Sequence, residues 1–370
     1  MSSGPAGQAA RSSVRPITRG PSGVQRRATL RTQDGVAIEA AYEPGPGPGG
    51  GVAIVVAHGF TGGLGRPHVR RIAAVFAQRA AVVTFSFRGH GASGGHSTVG
   101  DREVLDLAAA VEWARSLGHA RVVTVGFSMG GSVVLRHAAS HRGRTEARTD
   151  AVVAVSAPAR WYYRGTAPMR RLHWVVTRPA GRVVGRFGLR TRIHPHEWDP
   201  VPLSPVESVP LMGATPLLVV HGTRDPYFPV DHPKALAAAA PQGAELWLED
   251  GMGHAEHAAS DGLADRIAAW ATASWTSATA DRKGSRMVNG TIRYWAAAKA
   301  AAGVAEEPYA AATLAEALDA ARERHPGELV RVLQRCSFLI DGDPVGTRGH
   351  ETVRLAEGGT VEVLPPFAGG

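Results

Sequence analysis

A serine between two glycines is the residue in this chain whose setting most clearly supports covalent chemistry. Ser128 lies in the segment G-F-S-M-G (126–130), between a predicted strand, Arg121–Val125, and a predicted helix, Met129–Ser140. A turn that sharp holds the serine exposed and strained, and the glycines let strand and helix approach each other. A hydroxyl is a weak nucleophile at neutral pH, so Ser128 needs a base beside it.

Two later segments offer that base and an acid to orient it. His254 lies in a glycine-rich loop after the predicted strand Glu245–Leu248, and Asp225 follows the predicted strand Leu217–His221. Both positions are carboxyl ends of predicted parallel strands, where sites of such sheets form. The order serine, acid, histidine is the one expected with this kind of turn. We therefore predict Ser128 as nucleophile, Asp225 as orienting acid and His254 as general base.

The tetrahedral intermediate of such a reaction carries an oxyanion, which needs hydrogen-bond donors. The segment that follows the predicted buried strand Val52–Ala57 could present the backbone N–H of Phe60. Met129, at the start of a helix, could present a second N–H. We predict these two groups as the oxyanion hole, which would stabilise the transition state by about 3 kcal/mol.

The last two residues, Gly369 and Gly370, offer a second and different chemistry. Glycine has no Cβ, so a glycine tail can extend through the narrow channel of a partner enzyme and present its carboxylate there. The alternative is a frayed end without function, as many termini are.

The surrounding pattern divides the chain into domains. Strands and helices alternate over residues 28–275, which predicts an α/β domain with a parallel sheet. The pattern breaks at about 159–210, an irregular segment that we interpret as a lid insertion. Residues 276–287 are small and polar, as in a linker. Residues 288–370 predict a small α+β domain with a helix at Thr313–His325 and strands that include Val353–Leu355.

Residues 28–275 resemble the α/β-hydrolase family. The blocks that carry the resemblance, in chain order, are H-G-F-T-G-G (58–63), F-R-G-H-G-A-S (87–93), G-F-S-M-G-G (126–131), H-G-T-R-D (221–225) and G-H-A-E (253–256). The resemblance implies a Ser128, His254, Asp225 triad and ester-type acyl transfer. Ser86 stands where many relatives carry aspartate, a departure that bears on the loop more than on catalysis.

Residues 288–370 resemble sulfur carriers of the MoaD/ThiS kind, and most closely the small subunit of molybdopterin synthase. The matching segments are R-Y-W-A-A-A-K-A-A-A-G (293–303) and the tail L-P-P-F-A-G-G (364–370). The resemblance implies a ubiquitin-like β-grasp fold. It also implies that an E1-like enzyme adenylates the Gly370 carboxylate with ATP, that a thiocarboxylate replaces the adenylate, and that the synthase large subunit is a partner.

Composition excludes several other classes of protein. No apolar run approaches the roughly 18 residues of a membrane-spanning helix. The single cysteine, Cys336, excludes an internal disulfide and a multi-thiolate zinc site, and it fits a cytoplasmic location. We expect no bound metal or cofactor. Residues 1–27 lack acids and the apolar core of a secretory signal, so we expect a disordered tail, although they also resemble an organellar transit peptide.

Charge is uneven along the chain. Residues 288–370 contain 8 Lys and Arg and 11 Asp and Glu. The rest of the chain contains 33 Lys and Arg and 21 Asp and Glu, and the net charge of the whole chain is +9. Arginines are scattered without interleaved aromatic residues, so we do not expect nucleic-acid binding. From Ala159 to Trp198 there are nine arginines and one acid, Glu197. That excess would suit an anionic substrate or, alternatively, a solvated lid.

Other residues have plainer interpretations. Asp231 is a weaker candidate for the triad acid, because it begins a predicted helix. We expect His257 to be an exposed helix residue, His90 to support a loop and His221 to pack near a strand end. For the whole chain, the alternative to a serine hydrolase fused to a sulfur carrier is an inactive hydrolase-like scaffold that presents the carrier to partners. A third possibility is cleavage in the linker near Met287.

Overall fold

The chain divides into two units, Met1–Ala273 and Ser274–Gly370. The computed structural model describes residues 15–16, 25–46, 51–273, 288–325, 327–333, 335–346, 348–350 and 353–365. Most of the predicted tail falls outside these residues, as do the predicted linker at 276–287 and the Gly369-Gly370 terminus, and what the sequence predicts for these parts stays a prediction. Within the predicted tail, Arg15–Pro16 and the start of Arg26–Arg31 lie in paired strands, which corrects the expectation of disorder for those residues.

The first unit is built on a sheet of nine strands. The strands are Arg15–Pro16 (β1), Arg26–Arg31 (β2), Ala37–Glu43 (β3), Val52–Ala57 (β4), Ala81–Phe85 (β5), Arg121–Phe127 (β6), Ala151–Val155 (β7), Leu217–Gly222 (β8) and Glu245–Glu249 (β9). Their spatial order is β1-β2-β3-β5-β4-β6-β7-β8-β9. The strands from β5 to β9 in that order are parallel, and β1, β2 and β3 are joined antiparallel at one edge.

Helices connect the parallel strands. They are Pro67–Phe76 (α1), Glu103–Ser116 (α2), Met129–Ser140 (α3), Ala167–Thr177 (α4), Pro179–Phe187 (α5), Pro205–Ser208 (α6), Asp231–Ala238 (α7), Ala255–Ala258 (α8) and Asp261–Thr272 (α9), with a 3-10 turn at Val209–Met212. Helix α1 packs on α9, and α2 packs on α3.

The central strands follow directly from the sequence. Strands β4 and β7 are continuous apolar runs, β6 is apolar apart from Arg121 and Thr124, and nearly every residue of the three is buried. A parallel strand covered on both faces needs no polar alternation, so an unbroken run of this length predicts it well. The predicted bounds of Val52–Ala57 and Met129–Ser140 are those that the structure has.

The predicted irregular insertion is partly helical, which corrects the expectation from sequence. Helices α4 and α5 both begin with proline within their first two positions, where the missing N–H has no intrahelical partner to lose. Only Met169 of α4 is buried, so the apolar periodicity that marks a core helix is weak here. The abundant arginines and aromatic residues hid the remaining helical signal.

The second unit is a mixed five-stranded sheet with helices. Its strands are Val288–Tyr294 (β10), Glu306–Ala311 (β11), Ser337–Ile340 (β12), Asp343–Pro344 (β13) and Thr360–Leu364 (β14), and its helices are Ala296–Ala302 (α10), Leu314–Arg324 (α11) and Glu328–Leu333 (α12). The spatial order is β11-β10-β14-β12-β13. Strands β10 and β14, the first and last along the chain, pair in parallel near the centre of the sheet. This is the predicted β-grasp arrangement.

Three elements of the second unit differ from the sequence prediction. Residues Val353–Leu355 form no strand of the sheet, and Arg354 makes only an isolated bridge to Thr313. The edge strand β11 and the short helix α12 were not predicted. Glu306–Ala311 contains a proline and two acids, which mask a strand that pairs on one side only. Thr313 caps α11, accepting the N–H of Glu316 at 3.3 Å.

Among the described residues, no helix combines the length and the apolar composition that a bilayer span requires.

Candidate active site

Ser128 occupies the sharp turn between β6 and α3. Its backbone has φ of 52° and ψ of −113°, a conformation that side-chain-bearing residues rarely adopt. The Ser128 N–H donates to the carbonyl of Val155 at 2.9 Å, and Ser128 O accepts the N–H of Ser132. The turn is thus fixed on both sides, and the hydroxyl is presented at the carboxyl end of the parallel sheet.

The flanking glycines are needed because backbones meet closely here. A Cβ at Gly126 would lie 2.2 Å from the carbonyl oxygen of Gly130. A Cβ at Gly130 would lie 2.1 Å from the carbonyl oxygen of Ala57, on strand β4. Neither contact is possible for a real side chain, so only glycine fits the approach of strand and helix that positions Ser128.

His254 and Asp225 complete a hydrogen-bonded chain with Ser128. His254 Nε2 lies 2.8 Å from Ser128 Oγ, and His254 Nδ1 lies 2.7 Å from Asp225 Oδ2. A carboxylate only accepts, so Nδ1 carries the proton and donates it, which leaves Nε2 free to accept the serine hydroxyl. The structure therefore brings together the three residues that the sequence singled out. Asp225 is fully buried, and His254 is 14% exposed.

The surroundings of Asp225 keep it ionised. Burial raises the pKa of this carboxyl. The hydrogen bond from His254, the charge of His254 and the N–H groups of Tyr227 and Phe228 all lower the pKa. Those two N–H groups donate to Asp225 Oδ1 at 2.8 and 3.1 Å. The pKa of Asp225 ends below its ordinary value, so the carboxylate can orient His254 and stabilise a positive imidazolium.

Sequence reasoning missed Tyr227. Its ring lies beside the imidazole of His254, with centroids 4.3 Å apart and planes tilted by 30°. Phe228 also approaches His254, at 5.6 Å. The only signal in the sequence was their position directly after the predicted acid, in D-P-Y-F (225–228).

Two histidine side chains, one within the segment 58–63 and one from outside it, hold the loop predicted to supply the oxyanion hole. His58 Nε2 accepts the N–H of Phe87 at 3.0 Å, and His90 Nε2 accepts the N–H of Thr61 at 3.3 Å. His90 thus supports the loop, as the sequence predicted. A Cβ on Gly59 would lie 3.4 Å from Cβ of Ser128, so the loop passes directly beside the serine. The assignment of the Phe60 and Met129 N–H groups stays a prediction.

The F-R-G-H-G-A-S segment is anchored by a buried ion-pair network. The Arg88 guanidinium binds Asp106 at 2.7 Å and Asp34 at 2.7 Å. Ser86 donates to Glu39 Oε1 at 2.8 Å and accepts the N–H of Leu64 at 3.1 Å. Ser86, the residue that departs from the family pattern, therefore helps to hold the loop in place.

A cavity of about 490 Å³ opens beside Ser128. Phe60, Ser128 and Met129 line it on the side of the sheet. The insertion lines it with aromatic and apolar residues, among them Trp161, Tyr163, Met169, Leu172, Ile193 and Trp198. The predicted insertion and the predicted nucleophile thus share one cavity, of a size typical for small-molecule sites.

Comparison with known families agrees with this architecture. Residues 52–206 match the family model described as the alpha/beta hydrolase fold, and residues 292–370 match the ThiS family. The chain joins an alpha/beta hydrolase domain to a ThiS-family domain. The predicted resemblance is confirmed for both parts, and the ThiS match extends through the Gly369-Gly370 terminus.

Solved structures add support for the fold of the hydrolase domain. The esterase Pf2001 of Pyrococcus furiosus is 23% identical, with 67% of this chain and 91% of that chain covered and a TM-score of 0.52. DcsB, solved in complex with its substrate analogue, is 20% identical, with 67% and 98% covered and a TM-score of 0.54. A comparison with curated proteins found no match.

The remaining candidate residues of the hydrolase domain take other positions. Asp231 pairs with Arg160 on the surface, and its helix has Val230 rather than Asp231 at the N-cap position. His221 is buried, and its Nε2 lies 2.9 Å from the carbonyl oxygen of Phe228. His257 is exposed, as predicted.

Cys336, in the ThiS-family domain, donates its thiol to the carbonyl of Val332 at 3.2 Å, and burial raises the pKa of the thiol. A raised thiol pKa leaves less of the reactive thiolate.

Proposed function

We propose that the chain is a serine hydrolase of ester-type substrates fused to a sulfur carrier. The observation that carries the first half is the continuous hydrogen-bond chain from Ser128 Oγ through His254 to Asp225 at the wall of the cavity. The second half rests on the ThiS-family match and on the glycine tail. Each half has its own test.

Acylation follows from the geometry of the hydrolase domain. As Ser128 Oγ attacks the ester carbonyl, its proton moves to His254 Nε2, and the imidazolium is stabilised by the ionised Asp225. The carbonyl oxygen becomes an oxyanion, to which the N–H groups of Phe60 and Met129 would donate. When the tetrahedral intermediate collapses, the C–O bond to the alcohol breaks and His254 Nε2 returns its proton to the leaving oxygen.

Deacylation repeats the cycle with water. His254 Nε2 takes a proton from the water that attacks the acyl carbonyl, and the second tetrahedral intermediate collapses by expelling Ser128 Oγ. His254 then protonates that oxygen. One ester and one water thus yield one acid and one alcohol, and the enzyme returns to its starting state.

The cavity favours a substrate with an apolar portion. Its lining is rich in aromatic and aliphatic side chains near Ser128, which would bind an acyl chain or an aromatic alcohol by burial of apolar area. Arg160, Arg164 and Arg182 also line it, so an anionic group at the far end of the substrate would find cations. The insertion would act as a lid, because its residues line the cavity beside Ser128.

The carrier half is inferred from its family. The Gly370 carboxylate would be adenylated by an E1-like enzyme that uses ATP, and sulfur would replace AMP to give a thiocarboxylate. The large subunit of molybdopterin synthase would then accept that sulfur, which places the domain in molybdenum cofactor biosynthesis. The role of two glycines is to let the tail extend without side-chain collisions.

Turnover of short activated esters tests the hydrolase. We expect Ser128→Ala to abolish turnover and labelling by a fluorophosphonate, whereas Ser140→Ala, on the same helix but away from the cavity, keeps both. A wild-type protein that is folded yet neither labels nor turns over any ester would favour the alternative, an inactive scaffold that presents the carrier.

Mass analysis of the C-terminal peptide tests the carrier. After incubation with an E1-like enzyme, ATP and a sulfur donor, we expect a thiocarboxylate on Gly370. A chain extended by a few residues beyond Gly370 should gain no sulfur and should hydrolyse esters at the original rate. Full sulfur loading of the extended chain would show that a free Gly370 carboxylate is not required and would refute the carrier role.

A further inference from the structure

A second cluster of ionisable side chains lies beside the hydrolase site. His68 stands in the first turn of α1, while Glu256 and His257 belong to the short helix α8 that follows His254. One ligand atom from each of the three side chains lies within 4.8 Å of the others. The imidazole centroids of His68 and His257 are 3.7 Å apart. The catalytic steps above use none of these side chains.

Glu256 is the member that calls for an explanation. It is only 3% exposed, and its Oε1 accepts the N–H of Gly59 at 3.1 Å. Its Oε2 is buried and has no hydrogen-bond partner among the described residues. A buried carboxylate oxygen left without a partner is costly, so native proteins normally supply one. One oxygen of this carboxylate belongs to the cluster with the two imidazoles.

The histidines are suited to act as ligands. A neutral imidazole offers the lone pair that a metal ion needs. Two cations, Arg66 and Arg71, lie nearby. Arg71 is occupied by Asp261 and by the carbonyls of Glu256 and Ala259, and Arg66 donates to the carbonyl of Leu189.

We propose that His68, Glu256 and His257 bind a divalent first-row transition metal ion, with Zn²⁺ as the best fit. Two imidazoles and one carboxylate are a preferred zinc ligand set, and the fourth position would hold water, because His257 is exposed. Ligand atoms around tetrahedral zinc stand about 3.3 Å apart, so separations of up to 4.8 Å must shorten by up to about 1.5 Å. The exposed His257 can supply most of that movement by rotating.

Such an ion would connect the two segments that flank the proposed triad. Glu256 follows His254 by two residues, and its Oε1 accepts the N–H of Gly59, next to the predicted oxyanion donor Phe60. Binding through His68 would fasten α1 to the segment that carries the general base. We therefore expect the ion to stabilise the hydrolase domain. The sequence did not predict the site because His68 lies far from the other two ligands along the chain.

Calorimetric titration of Zn²⁺ into the metal-free full-length chain tests the proposal. We expect one saturable ion and a rise in the midpoint of thermal unfolding of the hydrolase domain. His257→Ala and Glu256→Gln should each weaken binding at least about tenfold. The amide oxygen of glutamine can still accept the N–H of Gly59, so Glu256→Gln should fold.

His196→Ala is the matched control. His194 and His196 form another close imidazole pair, with ring centroids 5.3 Å apart. Neither belongs to the proposed metal site. This variant should keep the affinity of the wild type. The proposal is overturned if the wild type binds no zinc, if His257→Ala binds as tightly as the wild type, or if His196→Ala loses the ion. Since none of these measurements uses ester turnover, failure here and failure of the proposed hydrolase are separate outcomes.

Discussion

The ring of Tyr227 lies against the imidazole of His254, 4.3 Å away between centroids, while the N–H of the same tyrosine donates to Asp225 Oδ1 at 2.8 Å. One residue thus contacts two members of the proposed triad, the histidine through its ring and the acid through its backbone. The ring restricts how His254 can turn, and the backbone contact helps to keep Asp225 ionised. These two contacts can be separated by mutation.

Replacing the ring should slow catalysis without abolishing it. An aromatic contact of this kind stabilises by about 1 kcal/mol, so we expect Tyr227→Ala to lower kcat for ester hydrolysis about fivefold. Tyr227→Phe keeps the ring and should stay within about twofold of the wild type. Both variants keep the backbone N–H to Asp225. Equal rates in the two variants would show that the ring does not orient His254.

Asp225 and Asp231 give a direct test of which acid serves the histidine. Asp225→Asn replaces the acceptor of the His254 Nδ1 proton, so the imidazole would favour the wrong tautomer and kcat should fall by about 10³-fold or more. Asp231 pairs with Arg160 on the surface, and Asp231→Asn should change kcat less than about twofold. Steady-state kinetics of the two variants decide the matter, and the opposite ranking would move the role of the acid to Asp231.

The glycines around Ser128 should tolerate no side chain. A Cβ at position 130 would stand 2.1 Å from the carbonyl oxygen of Ala57, so strand or helix must move. We expect Gly130→Ala to destabilise the hydrolase domain by about 3 kcal/mol, as overpacking against backbone does. Gly65, whose Cβ would meet nothing within 4 Å, provides the control. Denaturant unfolding should show Gly65→Ala within about 0.5 kcal/mol of the wild type.

His232 contacts residues at the wall of the cavity, and its protonation should make the stability of the domain depend on pH. Its Nδ1 accepts the N–H of Ala159 at 2.9 Å, where the insertion begins, and its ring packs at 4.6 Å from Tyr163. Burial lowers the pKa of His232 from 6.5 to about 4, with Asp231 opposing that shift and Arg160 adding to it. The folded state therefore holds this histidine neutral.

Stability should fall as pH drops through that range. Between pH 6.5 and about 4, the unfolded chain takes up a proton at His232 that the folded chain refuses, so unfolding becomes more favourable. His232→Asn keeps an acceptor for Ala159 and does not titrate. The free energy of unfolding of the wild type should lose about 2 kcal/mol more than that of the variant over this window. The free energies of unfolding come from denaturant titrations at each pH. If those of the wild type and the variant fall equally with pH, the role of His232 is contradicted.

Much of the hydrolase fold could be predicted from local sequence. The runs that became β4 and β6 are apolar enough that burial on both faces is their only stable solution, and their ends are marked by glycines. Ser128, Asp225 and His254 were predicted because each follows a predicted parallel strand, and the carboxyl ends of parallel strands meet at one edge. Their types and their order along the chain were enough to bring the three together.

Other elements were hidden because their signals are not local. The helices of the insertion bury little of their own surface, so their apolar spacing is weak. The edge strand β11 pairs on one side only, with Pro308 and two acids in a run that composition alone would assign to a loop. Val353–Leu355 has strand-like residues, yet its backbone joins no ladder of the sheet.

The sequence by itself therefore determined the two domains, the central strands of the hydrolase sheet and the identities of the proposed triad, because periodicity and turn chemistry act over a few neighbouring residues. Only the tertiary structure decided which side chains surround that triad. Glu256 reaches the N–H of Gly59 across 197 positions of sequence, and Tyr227 meets His254 across a loop. Such contacts depend on how the strands align in space, and no short stretch of sequence encodes that alignment.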